Sequence, residues 1–210
     1  MPTAITLTPA TPLGDIVAQN PATAKVLTQH GLDFCCGGQR SLADACSAEG
    51  LDADQVLLAL SDTPAEPGET DWTAASAADL CENLVSTHHE YLWREMPQIS
   101  ALAAKVARVH GARHPELKQI ATTYQQLVAE LTGHLLTEEQ EQFPAIIAGV
   151  GWSPEAIEAL MTEHDAAGDL LAELRSLSSD YAVPADGCAS YRLLYHDLEE
   201  LESDLHLHIH

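Results

Sequence analysis

Along most of the chain, apolar positions recur every three or four residues, the spacing of one face of an α-helix, and no stretch alternates strictly as a strand would. Short helices are predicted first. Asp15 to Asn20 and Pro21 to His30 carry Ile16, Val17, Val26 and Leu27 at helical spacing, and Gly31 supplies a stop at C′. Ser41 and Asp52 are N-caps for two more short helices. The stretch from Thr63 to Thr70 is rich in Pro, Gly and acidic residues and has no apolar period, so it reads as a linker.

Four longer amphipathic helices follow. The first is capped by Ser76 and runs through Leu80, Leu84, Leu92 and Ile99 toward Val109, with a bend at Pro97. The second starts with Pro115 at N1 and continues through Leu117, Ile120, Leu127, Leu131 and Leu135 to about Ala148. Ser153-Pro154 opens the third, whose inner face carries Ile157, Leu160, Leu170, Leu171 and Leu174. The fourth begins after Gly187 and runs through Leu194, Leu198, Leu201 and Leu205. The expected fold is all-α, with a small helical domain over 1–62, a linker over 63–75, and an up-down-up-down four-helix bundle over 76–210.

Charge narrows the partners. Nine basic against 32 acidic residues give a net charge of −23, which repels phosphate backbones and argues against nucleic acid. No apolar run approaches the roughly 20 residues of a membrane span. Met1 to Ala10 lacks a basic n-region and an apolar h-region, and does not read as a secretory signal. Five cysteines, two of them adjacent, suit a reducing cytoplasm better than a disulfide framework.

The chemistry sits in the histidines, of which there are eleven. Each long helix carries one within its apolar frame: His89, His134, His164 and His208. Glu138 follows His134 by one turn on the same face, so imidazole and carboxylate converge. A lone buried histidine is usually a packing residue; one on each of four helices points to a metal held in the bundle interior. Nitrogen and carboxylate donors without thiolate suit iron, zinc or manganese. The ferritin-like arrangement needs Glu-x-x-His, and no histidine here has glutamate three residues before it.

Two motifs then carry a resemblance. Asp33-Phe34-Cys35-Cys36-Gly37-Gly38 resembles the motif of a short domain that precedes hemerythrin-like domains. His134-Leu-Leu-Thr-Glu138-Glu139-Gln-Glu-Gln-Phe143-Pro144, followed by Glu163-His164-Asp165, resembles the bundle itself. Together they are similar to the RIC family, proteins for repair of iron centres after nitrosative and oxidative stress. The resemblance implies two iron ions bridged by oxo or hydroxo and carboxylate groups, with ligands at His89, His134, Glu138, His164 and His208. His89 is taken over adjacent His88 from the alignment with Pro97, and only one of the two can face the metal because neighbouring helical residues point about 100° apart. A second bridging glutamate is expected four residues past His208, beyond His210; Asp204 or Glu163 are the carboxylates that could compensate. His196 and Glu200, about 120° around the helix from His208, are read as surface, and His206 and His210 as outside the ligand set.

Cys35 and Cys36 are assigned a redox or iron-transfer role, with Gly37 and Gly38 permitting the turn and His30 and Arg40 available to activate a thiol. Cys46, Cys81 and Cys188 are expected to be structural. The implied function is repair of iron-sulfur clusters by iron donation, with cluster proteins as transient partners. The alternatives are a di-iron nitric oxide or oxygen reductase, or an oxygen-binding or sensing protein. Whether the chain is an enzyme is left open, as is its oligomeric state, a dimer being one option.

Overall fold

A computed structural model describes residues 7–35, 37–64 and 72–210, the Thr73 side chain excepted. Every named element among them is helical, and the sole β-type pairing is an isolated bridge between Pro12 and Ser41. No helix is long and apolar enough to cross a membrane among the described residues. The chain divides into two compact units, Met1–Ser76 with His206–His210, and Ala77–Leu205.

The first unit holds α1 (Leu13–Gln19), α2 (Thr23–Gln29), α3 (Leu42–Glu49) and α4 (Ala53–Ser61). Its core includes Leu13, Ile16, Leu27, Phe34, Leu42, Val56 and Leu60. Such side chains contribute about 1.5–3 kcal/mol each on full burial. Two caps are set by local chemistry: Ser41 Oγ accepts the Asp44 N–H at 3.1 Å, and Asp52 Oδ1 accepts the Asp54 N–H at 3.0 Å. Gly31 follows the end of α2 at φ +67°. Most of the expected linker, residues 65–71, lies outside the described residues.

The bundle is built from α5 (Ala77–Asn83), α6 (Glu90–His110), α7 (Glu116–Thr137), α8 (Phe143–Ile147), α9 (Pro154–Leu177) and α10 (Ala189–Ile209). Leu92, Ile99, Leu117, Ile120, Tyr124, Leu127, Leu171, Leu194 and Leu198 form one continuous core drawn from α6, α7, α9 and α10. Ser153 Oγ caps α9 through the Ala156 N–H at 3.2 Å, with Pro154 at N1. Pro115, by contrast, stands at the N-cap position of α7, and Glu116 opens the helix.

Two of the expected helices are interrupted by π-helical segments, Leu84–His89 between α5 and α6, and Glu138–Gln142 between α7 and α8. The Glu90 N–H bonds Val85 O and the Phe143 N–H bonds Glu138 O, each five residues back. Such segments admit one extra residue and are concentrated at functional sites. The irregularity in the first long helix therefore lies at 84–89, while Pro97 is carried inside α6. Leu80 and Ile157, which the apolar period places on inner faces, are 38% and 49% exposed.

Candidate metal centre

Each π segment places a candidate ligand at its edge: His89 ends the first and Glu138 begins the second. His89 is completely buried; His134, Glu138 and His208 are each at least nine-tenths buried, and His164 is half-buried. Burying five such groups costs heavily unless they are paired or bind a cation. Two groups of donors form. His89, Glu138 and His208 each offer an atom within 4.8 Å of the others, and so do His134, Glu138 and His164.

Glu138 belongs to both groups, one oxygen toward each. Its Oε2 is 3.2 Å from His89 Nε2 and its Oε1 is 3.4 Å from His134 Nε2. These are the separations of adjacent donors on one ion with bonds of about 2.1 Å. His134 and His164 lie edge to face with ring centroids 5.0 Å apart.

The far nitrogens of two histidines are held by carboxylates. His89 Nδ1 is 3.0 Å from Glu139 Oε1, an oxygen that also accepts the Trp93 indole N–H at 2.9 Å. His134 Nδ1 is 2.8 Å from Glu163 Oε2. A carboxylate on Nδ1 fixes the tautomer with Nε2 as the metal-facing lone pair and makes it more basic. Glu163 thus positions a candidate ligand. The other compensating carboxylate considered from sequence, Asp204, has Oδ1 2.9 Å from His88 Nδ1. Neither it nor His88 enters the two donor groups.

The pocket favours positive charge. Burial lowers the His134 pKa, but Glu138 and then Glu163 outweigh it and leave the imidazole above its ordinary range. Cys81 is pushed up by desolvation and then by the Glu138 charge, and it enters neither donor group. Nitrogen and oxygen donors alone suit a divalent first-row ion. His196 and Glu200 are exposed, as expected from their position around α10.

In the first unit, Asp33 organises the thiol loop. Its carboxylate accepts the Cys35 thiol at 3.1 Å, the Cys35 N–H at 2.9 Å and the Gly37 N–H at 2.8 Å. A Cβ on Gly38 would overlap the Phe34 carbonyl, which is why glycine stands there. His30 Nδ1 is 2.8 Å from Val26 O, and Arg40 donates to Asp44 O at 3.3 Å. The group in contact with the Cys35 thiol is thus an anion, where the sequence suggested a cation. Cys36 lies outside the described residues.

A helical bundle that gathers four histidines around a shared carboxylate defines a cation-binding protein of the hemerythrin type. Residues 82–210 match the hemerythrin HHE cation binding domain, and residues 10–63 match ScdA_N, a domain of unknown function. Among curated proteins the chain is 32% identical over 204 residues to the iron-sulfur cluster repair protein ScdA of Staphylococcus haemolyticus, covering 94% of this chain and 92% of that one. It is 34% identical over 202 residues to the iron-sulfur cluster repair protein YtfE of Cronobacter sakazakii, covering 94% and 90%. Against the protein of that name from Escherichia coli O1:K1 it is 30% identical over 199 residues, again covering 94% and 90%. The chain belongs to this family of hemerythrin-domain proteins with an N-terminal ScdA_N domain.

Proposed function

We propose that this protein binds two iron ions in its bundle and repairs damaged iron-sulfur clusters by donating iron. The observation that carries the reading is the division of the Glu138 carboxylate, with one oxygen toward His134 and the other toward His89. Two donor groups sharing one carboxylate call for two ions, each with its own pair of histidines. His89 and His208 hold one, and His134 and His164 the other. Bound iron supplies one-electron chemistry and is the cargo of the repair. Nitrogen and oxygen ligands hold Fe(II) modestly in the Irving–Williams order, which suits a donor. Sequence kinship to proteins named for cluster repair supports the same reading.

The protein's own groups do the remaining work. Glu139 and Glu163 orient their imidazoles, and buried Phe143, its ring 5.5 Å from that of His89, limits water. Cys35 and Cys36 serve transfer or redox steps at the recipient cluster, with Asp33 holding the Cys35 thiol. The setting is the cytoplasm, and the partners are cluster proteins met transiently.

Iron per chain tests the site. Wild type is expected to hold about two, His164→Ala about one, and Glu138→Ala less than one, since only the last substitution damages both groups. Restoration of a damaged cluster protein, with iron leaving this chain, tests the activity. Equal iron content in His164→Ala and wild type would overturn the ligand assignment. Full iron content with no restoration would overturn the repair role. Unchanged restoration by the Cys35→Ser/Cys36→Ser double variant would remove the thiols from it.

A further inference from the structure

Cys188, expected from sequence to be structural, is exposed. It immediately precedes α10, in the position of an N-cap. The backbone N–H groups of Tyr191 and Ser190, free amides of the first turn, act on the thiol and favour its anion. Gly187 makes this placement possible. Its N–H closes a turn onto Pro184 O at 2.8 Å, and a Cβ there would stand 2.6 Å from Val183 Cγ1.

A second group points at the sulfur from the core side. His110, the last residue of α6 and 7% exposed, places Nε2 3.2 Å from Cys188 Sγ. Its Nδ1 is buried without a hydrogen-bond partner among the described residues. The ring packs edge-on against Tyr191, with centroids 5.7 Å apart. With the proton on Nε2, His110 donates to sulfur and leaves only a bare lone pair in the core. Lys105, anchored to Ser190 Oγ at 3.2 Å, adds a positive charge nearby. The acidic neighbours are engaged elsewhere: Asp186 with His114 at 3.0 Å and Arg113 at 3.3 Å, and Glu116 with His114 at 3.2 Å.

A capping serine would satisfy the same amides without needing a buried imidazole aimed at it. Helix amides, imidazole and ammonium together stabilise a thiolate. The Cys188 pKa is accordingly lowered, first by the Tyr191 N–H, against an opposing contribution from desolvation, with Ser190 and Lys105 adding to the fall. Cys46 and Cys81 are buried, and burial raises both. Along α10, Cys188 is about 30 Å from His208 at the helical rise, so this chemistry is separate from the metal ligands.

We propose that Cys188, paired with His110, is a peroxide-reactive thiolate whose sulfenic acid is capped by a low-molecular-weight thiol, making the start of α10 a reversible modification site. In the first step the sulfur attacks hydrogen peroxide. An S–O bond forms, the O–O bond breaks, hydroxide leaves, and sulfur gives up two electrons to the peroxide. In the second, a thiol attacks the sulfenic sulfur. An S–S bond forms, the S–O bond breaks and water leaves.

The test uses the full-length protein and peptide mapping of every cysteine. Iodoacetamide alkylation is followed against pH, natively and after unfolding in guanidinium, where Cys188 becomes an ordinary thiol. Each unit by which the folded structure lowers the pKa multiplies the thiolate fraction about tenfold below both values. The native Cys188 profile is therefore expected at lower pH than the unfolded one. His110→Gln, checked for folding by circular dichroism, moves it part of the way back. Lys105→Gln, an exposed change that leaves the core intact, moves it in the same direction by less. Sub-stoichiometric hydrogen peroxide with dimedone is expected to label Cys188 first, and with glutathione in place of dimedone to add that thiol at the same residue. Coincident native and unfolded profiles, or first labelling at another cysteine, would overturn the proposal. Neither readout depends on iron.

Discussion

Removing Glu139 separates the two halves of the metal centre. Its Oε1 takes both His89 Nδ1 at 3.0 Å and the Trp93 indole at 2.9 Å, and its side chain is 30% exposed. Glu163 makes one such bond, to His134 at 2.8 Å, with its side chain 54% exposed. A hydrogen bond to a charged group is worth about 1.5–3 kcal/mol, and the better shielded one lies toward the upper end. Glu139→Ala is therefore expected to weaken the His89–His208 position by about 100-fold, which is about 2.8 kcal/mol. Glu163→Ala weakens the His134–His164 position by nearer tenfold, because water screens the lost pair. Glu139→Gln retains an acceptor but not the charge and falls between wild type and Glu139→Ala. Fe(II) titration against a competing chelator under anaerobic conditions resolves two binding steps. Each substitution should move one of them and leave the other in place. Equal weakening of both steps by Glu139→Ala, or none with the fold intact, would refute the positioning role.

Further outcomes test the bundle around the site. Arg175 grips Glu202, which is 3% exposed, through Nε at 3.0 Å and Nη2 at 2.8 Å. Arg175→Met strands that carboxylate and is expected to cost about 3 kcal/mol in chemical denaturation, with much of the loss recovered in Arg175→Met/Glu202→Met. Asp197 has its pKa raised, first by desolvation, with His196 opposing and Glu95 and Glu200 reinforcing. Its carboxylate binds a proton more tightly in the folded chain, so this residue's contribution improves as pH falls through its raised value. Asp197→Asn is expected to stabilise the neutral protein by up to about 0.5 kcal/mol, measured by thermal melting, with the advantage vanishing as Asp197 protonates.

Features set by a few adjacent residues were legible in the sequence. Ser41, Asp52 and Ser153 cap the helices they were expected to cap, since a side-chain oxygen before an apolar period can meet the first free amides. The placement of His89, His134, Glu138, His164 and His208 followed from helical frames, and the fold brings them into two groups. Depth was less legible. Leu80 and Ile157 share the apolar period of their helices yet stand exposed, because a period marks a face and not what covers it. The π segments were invisible because one extra residue barely changes an apolar pattern; Pro144, inside an otherwise helical run, was the available signal for the second. The outer carboxylates stand beside ligands in the sequence, Glu139 after Glu138 and Glu163 before His164, yet their partners lie on other helices.

The two π segments also bear on how this centre tolerates insertion and deletion. An α-helix turns about 100° per residue, so deleting one residue within 84–89 would restore a regular ladder and swing all of α5 by that angle. The shorter chain would gain ordinary helical bonding while turning Cys81 out of its buried position. A single-residue gap in a relative is thus a larger change here than several substitutions. Length, counted residue by residue through these two short stretches, is what keeps α5 and α8 in register with the helices that carry His89 and Glu138.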